Sequence, residues 1–320
     1  MHAGEVVAVG GGHGLARVLA ALGLLGVEPV AVVTVADDGG SSGRLRRDLG
    51  IIAPGDLRQA LVTLARNQPL ADLFGHRFSR GELAGHALGN LALVALAERS
   101  ADSPGPDAAR RYDFVAAVDA AGALLDCAGR VLPATTEPVE LHAEVADGRQ
   151  VDGQARVTQA DGRVTRVWLE PDDPPAADAA VEALRLARTV VLGPGSLFTS
   201  VIAPLLVPGV RKALVDTRAR TIYIANLTTQ PGETSGFSAH DHVAALLDHV
   251  PELRLDSVVL HAGPVPAGTT PVRGPLDNAA GAEVVTADLV SRAGAGTPAP
   301  GHDPSRLGRA LAPLLGLPLP

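Results

Sequence analysis

The first 35 residues constrain the fold more than any other part of the sequence. Residues 5–9 (EVVAV) form a short apolar run that ends in the glycine-rich segment Gly10–Gly14. Leucine and valine then recur at helical spacing from Leu15 to Leu25, and the β-branched run 29–35 (PVAVVTV) follows. A continuous apolar run of this kind is typical of a strand that is buried on both faces of a parallel sheet. The sequence therefore predicts a βαβ unit that opens a parallel sheet.

The same alternation of strand and helix patterns returns in the second half of the chain. A helical pattern with apolar stripes extends from Gly55 to Arg99. The later predicted elements are helix 176–187, strand Thr189–Leu192, helix 196–206, strand Thr221–Ala225, helix 239–249 and strand Asp256–His261. This order is typical of an α/β fold with a mostly parallel sheet, and the length of 320 residues suits a single domain 1–320 with an insertion.

Two segments depart from this alternation. Between about 125 and 170, apolar and polar residues alternate, and the pairs Asp147-Gly148 and Asp161-Gly162 are typical of hairpin turns. We predict a small antiparallel β insertion there. The last segment, about 291–320, begins with a stretch rich in proline and glycine and ends in a periodic apolar one. It is predicted to be a linker followed by a short helix.

Composition excludes several classes of protein. The chain has 35 acidic and 27 basic residues and a net charge of −8, whereas a general nucleic-acid binder needs a surplus of lysine and arginine. The single cysteine, Cys127, excludes an internal disulfide framework. No apolar run reaches the roughly 18 residues of a membrane span, and the first strand begins too early to leave room for a signal peptide. We therefore expect a cytoplasmic protein with no nucleic-acid partner and no membrane insertion.

Four of the predicted strands are each followed by a loop rich in glycine, hydroxyl or amide groups. Because the carboxyl ends of parallel strands share one edge of a sheet, these loops are expected to face one crevice. Glycine-rich turns ahead of a helix let backbone amides approach an anion, so the pattern predicts a ligand that contains phosphate. The candidate ligand-binding residues in these loops are Gly10, Gly11, Gly12, His13 and Gly14; Asp37, Asp38, Ser41, Ser42 and Arg44; Gly193, Gly195 and Ser196; and Asn226, Thr229, Gln230 and Thr234.

The acidic pair Asp37-Asp38 is open to three interpretations. An acid at the end of the second strand binds the adenosine ribose in a Rossmann dehydrogenase, but Leu15 stands where the third glycine of G-x-G-x-x-G is required. The two carboxylates are alternatively candidates to hold Mg²⁺ bridged to phosphate oxygens. Either carboxylate also suits a cap for the turn that follows.

Other polar residues have a structural interpretation beside a functional one. Ser196 precedes a predicted helix, and an N-cap is the first interpretation of its hydroxyl. Asp56 follows a Pro-Gly turn and is an N-cap candidate first and a ligand contact second. His86 and Asn90 are four residues apart and are predicted to share one helix face, either toward the crevice or satisfied within the core. Asn90 is retained as a candidate ligand contact, and spacing alone assigns no catalytic residue.

Several motifs together resemble a known family. In order from residue 10 to about 303, the chain contains GGGHG, VTVADDGGSSGRLR, PGDLRQALVTLA, HALGN, VLPAT, GPGSLFTSVIAPLL, NLTTQPGET and HDP. These motifs resemble the gluconeogenesis-factor family (YvcK-like proteins), which is similar in fold to the 2-phospho-L-lactate transferase CofD. The resemblance covers nearly the whole chain and implies a Rossmann-like three-layer α/β/α fold.

The resemblance also implies a function. Proteins of this family bind UDP-sugars, notably UDP-N-acetylglucosamine, and are associated with cell shape and cell-wall synthesis during gluconeogenic growth. This implies a regulatory binding protein with cell-wall synthesis proteins as candidate partners. Association of the chain with itself as a homo-oligomer is a further alternative. The CofD-like alternative is a Mg²⁺-dependent transferase that uses a nucleotide-activated phospholactate, with acidic residues in the region of Asp37 and Asp38.

Three positions depart from the usual pattern of the family. His13 stands where threonine is common, Gln59 replaces an asparagine and Thr228 replaces a methionine. The first change removes a hydroxyl contact to phosphate, and an imidazole N–H is the group available to replace it.

Overall fold

A seven-stranded parallel sheet forms the centre of the protein. The computed structural model describes residues 5–100, 112–160, 162–276, 281–292 and 301–319. The strands of this sheet are β1 (Val6–Gly10), β2 (Val30–Val33), β3 (Arg130–Pro133), β7 (Thr189–Leu192), β8 (Arg220–Ile224), β9 (Ser257–His261) and β10 (Glu283–Ala287). Their order is β10-β9-β8-β7-β1-β2-β3, and every neighbouring pair is parallel. The predicted α/β class is confirmed.

Burial explains why the strands have continuous apolar sequences. Every residue of β1, β2, β7 and β9 is buried, because helices cover both faces of the sheet. The edge strand β10 is mostly exposed or half-buried instead. The sequence pattern is therefore clearest for the strands nearest the middle of the sheet.

The predicted helices are present, with two differences in form. Four further helices were not predicted, and the first of them takes in part of a predicted loop: Gly40–Leu49, Phe114–Leu124, Gln154–Val157 and Pro208–Asp216. The bounds of the helices are α1 Gly12–Leu24, α2 Gly40–Leu49, α3 Gly55–Leu64, α4 Gln68–Gly75, α5 Leu88–Ser100, α6 Phe114–Leu124, α7 Gln154–Val157, α8 Asp178–Leu186, α9 Ala203–Leu205, α10 Pro208–Asp216, α11 Ala239–His249 and α12 Pro304–Leu314. The helical pattern from Gly55 to Arg99 is divided among α3, α4 and α5. The helix predicted over 196–206 begins as a π-helical segment, Leu197–Ile202, in which the Val201 amide donates to the Ser196 carbonyl at 3.1 Å.

A separate three-stranded antiparallel sheet forms the insertion. Its strands are β4 (Glu140–Val145), β5 (Gln150–Asp152) and β6 (Val164–Glu170), in the order β5-β4-β6. The small antiparallel sheet is as predicted, but it starts later than residue 125, because β3 pairs with β2 in the main sheet. Two predicted features, Asp161 in the second hairpin turn and most of the Pro/Gly-rich linker (293–300), lie outside the described residues.

The strand order fixes where a ligand site is expected. The chain moves outward from β1 through β2 to β3, and later returns to place β7 on the other side of β1. This reversal between β1 and β7 is a topological switch point, and open α/β sheets bind ligands there, beyond the carboxyl ends of the strands.

Among the described residues, no single helix has the length and apolar composition needed to cross a bilayer. One pair, Leu197–Leu205 with Pro208–Asp216, reaches that length only when its two halves are joined across a 78° bend.

Candidate functional site

A cavity of about 660 Å³ lies at the edge of the sheet where the strands end. Four loops line it, those that follow β1, β2, β7 and β8. The start of α3, the single-turn helix α7 and residues 301–302 also contribute to its wall, as do Arg17, Arg77 and Ser200. The predicted convergence of four strand-end loops on one crevice is therefore confirmed.

The predicted ligand-binding residues divide into two groups. Those that line the cavity are Gly11, Gly12, His13, Gly14, Asp37, Ser41, Ser42, Gly195, Ser196, Asn226 and Gln230. Those that lie outside its lining are Gly10, Asp38, Arg44, Asn90, Gly193, Thr229 and Thr234. The second group lies behind the cavity wall, next to residues that line it.

The glycine loops after β1 and β7 pack directly against each other. A Cβ atom on Gly14 would lie only 1.7 Å from the carbonyl oxygen of Pro194. Glycine is required at position 14 because two backbones meet there, which is a packing role rather than a ligand contact.

The loop after β8 holds the loop after β7 through three side chains. The Gly195 amide donates to Asn226 Oδ1 at 3.1 Å, and Asn226 Nδ2 donates to Gln230 Oε1 at 3.1 Å. Gln230 Nε2 in turn donates to the Ser196 hydroxyl at 3.1 Å. The prediction that this hydroxyl caps the following helix is wrong, because Ser196 occupies the N-cap position without a side-chain cap bond.

A buried carboxyl group occupies the start of the π-helical segment. Glu233 is 1% exposed and accepts hydrogen bonds from the Thr199 hydroxyl at 3.1 Å and from the Phe198 amide at 3.4 Å. Burial raises the pKa of Glu233 to about 7. Because Glu233 and Asn226 already use amides of this region, the loop after β7 offers fewer free donors to a phosphate than its sequence suggests.

The start of α2 is better placed to receive an anion. Its N-cap residue is Gly39, so no side chain caps the helix, and Gly40, Ser41 and Ser42 of its first turn all line the cavity. The first amides of a helix have no partner within the helix and carry the positive end of its dipole. These amides therefore form a candidate anion-binding surface at the cavity, beside the Asp37 carboxylate, which accepts the Gly39 amide at 3.0 Å.

His86 and Asn90 make hydrogen bonds inside the protein and do not line the cavity. The Ser41 hydroxyl lies 3.0 Å from His86 Nδ1 and accepts from Asn90 Nδ2 at 3.0 Å. The prediction that the two residues share a helix face is wrong, since α5 begins at Leu88. Their hydrogen bonds fix the first turn of α2 from behind.

Three arginines, Arg17, Arg58 and Arg77, bring positive charge to the cavity. Arg58 Nε donates to Asn90 Oδ1 at 3.0 Å, which orients the guanidinium group. Burial, and after it the charge of Arg77, lowers the pKa of Arg58. Two guanidinium groups that repel each other in this way are suited to share an anion. Arg44, the arginine predicted from the sequence, instead donates to the Ala84 carbonyl at 2.7 Å.

The adjacent acids Asp37 and Asp38 separate in the fold. Asp37 lines the cavity, and burial raises its pKa, while hydrogen bonds from Gly39 and Ser42 act in the opposite direction. Its acidic neighbour there is Asp56, whose pKa is raised to about 7 by burial and then by the charge of Asp37. The Asp38 carboxylate accepts the Ala155 amide at 2.8 Å. The acids of the cavity are therefore Asp37 and Asp56.

Asp56 does not cap α3, which begins at Gly55 with Pro54 in the N-cap position. Its carboxylate accepts a hydrogen bond from the Gly12 backbone and lines the cavity. The sequence offered two interpretations of Asp56. The N-cap interpretation was wrong, and the structure places the residue in the cavity wall, as the second interpretation requires. Among the described residues, no cluster of three histidine, cysteine, aspartate or glutamate side chains is arranged as a metal site.

Comparison with known proteins identifies the family. Residues 6–296 match the family model described as 2-phospho-L-lactate transferase CofD. The chain belongs to the CofD family. A "Gluconeogenesis factor" of Halalkalibacterium halodurans is 42% identical to it, over 82% of this chain and 78% of that protein. A "Putative gluconeogenesis factor" of Mycobacterium tuberculosis is 44% identical, over 96% of this chain and 89% of that protein.

Solved structures agree with this assignment. A crystal structure of a Bacillus halodurans protein has a TM-score of 0.88 and 36% sequence identity, and the match covers 97% of this chain and 99% of the other. A second structure from the same organism, described as a member of the UPF0052 family, has a TM-score of 0.86 and 37% identity. The family resemblance and the CofD-like fold inferred from the sequence are confirmed.

Several residues of this CofD-family cavity were not singled out as ligand contacts from the sequence. They are Arg17, Gln59, Arg77, Gln154, Ser200, Thr228 and His302. Arg17 lies within α1, and Gln154 lies in the insertion, far in the sequence from the strand-end loops of the main sheet. His302 was visible only as part of the HDP motif; burial lowers its pKa to about 4, so its imidazole is neutral near pH 7.

Proposed function

We propose that this CofD-family protein binds a nucleotide sugar, UDP-N-acetylglucosamine or a related UDP-sugar, and acts in the cytoplasm as a regulatory protein without turnover. The observation that carries the proposal is the pairing, in one cavity, of the uncapped start of α2 with Arg58 and Arg77. A diphosphate needs donors of both kinds, since backbone amides orient its oxygens and guanidinium groups offset its charge.

The remaining cavity wall suits the neutral parts of such a ligand. Asn226, Gln230 and Gln154 carry amide groups there, and Ser196 and Ser200 carry hydroxyl groups. Uracil and sugar hydroxyls are read by side chains that both donate and accept hydrogen bonds. A cavity of about 660 Å³ is within the usual range for sites that enclose small molecules.

The relatives named gluconeogenesis factors support the regulatory part of the proposal. In this proposal, occupancy by the nucleotide sugar is the signal, and it links carbon supply during gluconeogenic growth to cell shape and cell-wall synthesis. Proteins of cell-wall synthesis are the proposed partners, and the nucleotide sugar itself is the small-molecule partner.

A second candidate function is a CofD-like, Mg²⁺-dependent transferase, which the pairing of Asp37 with Asp56 favours. Two carboxylates beside an anion-binding surface fit Mg²⁺, which proteins commonly bind through one or two carboxylates together with substrate phosphates. Asp37 and Asp56 would hold the ion, which would offset negative charge on the phosphates. Because the pKa of Asp56 is raised to about 7, protons compete with the cation below that pH.

Calorimetric titration with UDP-N-acetylglucosamine, GTP and NAD, each with and without Mg²⁺, separates the candidates. The regulatory proposal predicts saturable binding of UDP-N-acetylglucosamine that is independent of Mg²⁺, with the ligand recovered unchanged by chromatography. If the protein binds only guanine nucleotides, and only with Mg²⁺, the regulatory proposal is wrong and the transferase is the favoured function. Binding of NAD alone would contradict both.

A further inference from the structure

The carboxylate of Asp38 links the loop after β2 to the β insertion. Asp38 Oδ1 accepts a hydrogen bond at 2.8 Å from the amide of Ala155, in the first turn of α7. The two residues are far apart in the sequence, and the bond joins the loop after β2 to the insertion, next to Gln154, which lines the cavity. A charged acceptor at the start of this single turn orders a segment that is too short to be stable alone.

Gly153 allows the carboxylate to reach this position. Its φ is +88°, and a Cβ atom there would lie 2.1 Å from Asp38 Oδ2. Any other residue at position 153 would therefore push the carboxylate away from α7 as well as straining the backbone.

Gln154 follows directly and lines the cavity. Its Oε1 atom is buried and, within the described part of the chain, has no hydrogen-bond partner, so the side chain carries an acceptor that the protein leaves unsatisfied. Among the described residues of the insertion, Gln154 is the one that lines the cavity. An amide is uncharged and both donates and accepts, which suits a sugar hydroxyl or an acylamino group better than a phosphate.

We infer that Asp38 is a positioning residue, which holds α7 so that the amide of Gln154 contacts the sugar part of the bound ligand. The inference rests on the proposed binding of a nucleotide sugar and deepens it. It assigns separate roles to the two adjacent acids, with Asp37 facing the ligand and Asp38 holding the insertion that reads it.

Hydrogen exchange measured by mass spectrometry tests the positioning step without ligand. Asp38→Ala is expected to speed exchange in a peptide covering 153–158, whereas Asp38→Asn keeps an acceptor oxygen and stays close to the wild type. Gly153→Ala is expected to resemble Asp38→Ala. Asp48→Ala is the control, because it removes an exposed carboxylate from α2, the helix that follows Asp38. Unchanged exchange in Asp38→Ala, or equal effects of the alanine and asparagine variants, would overturn the inference.

A binding cycle tests the contact with the ligand. Titrated with UDP-N-acetylglucosamine, Gln154→Ala is expected to lose about two- to tenfold in affinity, the range for one uncharged hydrogen bond. Asp38→Ala is expected to lose at least as much, and the double variant no more than Asp38→Ala, because both changes remove the same contact. Titration with UDP in place of the nucleotide sugar is expected to show no loss in Gln154→Ala. The exposed Gln159→Ala is the matched control.

The outcomes distinguish this inference from the proposed function. If the wild type binds the nucleotide sugar but the losses of the two variants multiply, or are absent, the inference is wrong and the proposed function stands. If the wild type binds GTP with Mg²⁺ instead, the proposed function is wrong, and the same cycle with GTP decides whether Gln154 reads that ligand. Binding of neither ligand overturns both.

Discussion

At the scale of single residues, the adjacent carboxyl groups of the loop after β2 have different surroundings: Asp37 lines the cavity, whereas Asp38 accepts the Ala155 amide of the insertion. Two adjacent acids, Asp37 and Asp38, were visible at a strand end, but their separation was not, because it depends on an insertion that follows more than a hundred residues later. The actual neighbour of Asp37 is Asp56, which comes from a different element. Local sequence identifies the groups, whereas tertiary structure decides which of them share a cavity.

The buried carboxyl group of Glu233 gives a stability prediction. Its pKa is about 7 in the folded protein and near its ordinary value of 4.5 in the unfolded chain. Between these values only the unfolded chain releases the proton, so stability falls as the pH rises from about 4.5 to 7. The loss is about 3 kcal/mol at most, at 1.36 kcal/mol for each pH unit.

Glu233→Gln is expected to remove this part of the pH dependence. Urea unfolding of the variant and the wild type from pH 4.5 to 8 measures it, with the exposed Glu252→Gln as the matched control. Parallel stability curves for Glu233→Gln and the wild type would contradict the buried, neutral state of this carboxyl group.

The exposed Arg77 tests the anion-binding surface with little risk to the fold, since its side chain bonds only the Gly85 carbonyl, at 3.1 Å, among the described contacts. Arg77→Gln is expected to weaken binding of UDP-N-acetylglucosamine about 10- to 100-fold, because a charge-assisted hydrogen bond is lost. Calorimetry at two salt concentrations checks this, and the salt dependence is expected to decrease as well. Arg80→Gln, an exposed arginine three residues further on, is expected to bind like the wild type. Equal affinities of the two variants would remove Arg77 from the site.

At the scale of elements, the strands were predicted best. Strands β1, β2 and β7 to β9 are buried on both faces, so hydrophobicity alone marks them. The π-helical start of segment Leu197–Ile202 was not predicted, and two groups in its first turn, the Phe198 amide and the Thr199 hydroxyl, donate to Glu233 from a loop beyond the next strand. The sequence also did not show that backbone amides in and after the loop that follows β7 already have partners. Side chains from another loop, Asn226 and Glu233, accept hydrogen bonds from them.

The contact between these two loops is tested by Asn226→Ala. The change leaves the Gly195 amide without its partner, at a cost of about 1–3 kcal/mol, and frees the loop to move away from the cavity. We expect lower stability in urea unfolding together with weaker nucleotide-sugar binding.

Asn67→Ala is the matched control for this change. Asn67 also accepts a backbone amide, that of Leu70, but it caps α4 and does not line the cavity. Its loss is expected to lower stability by about 1 kcal/mol without changing affinity. Equal binding by the two variants would contradict the role of Asn226 in shaping the site.

At the scale of the whole molecule, the alternation of strands and helices predicted the class of fold and the edge of the sheet that carries the site. It did not predict the strand order, so the place of β3 in the main sheet and the exact start of the insertion were missed. The residues that close the cavity, Arg77, Gln154 and His302, come from segments that local patterns leave unrelated. Only the packing of the whole chain brings them together.

The most direct measurement of the central claim is a crystal structure of the protein with UDP-N-acetylglucosamine. We expect density in the cavity beyond the carboxyl ends of β1 and β7, with the diphosphate against the start of α2 and beside Arg58 and Arg77. The sugar is predicted to lie toward Gln154. A nucleotide sugar bound elsewhere on the chain, or a cavity that stays empty at saturating ligand, would contradict the account.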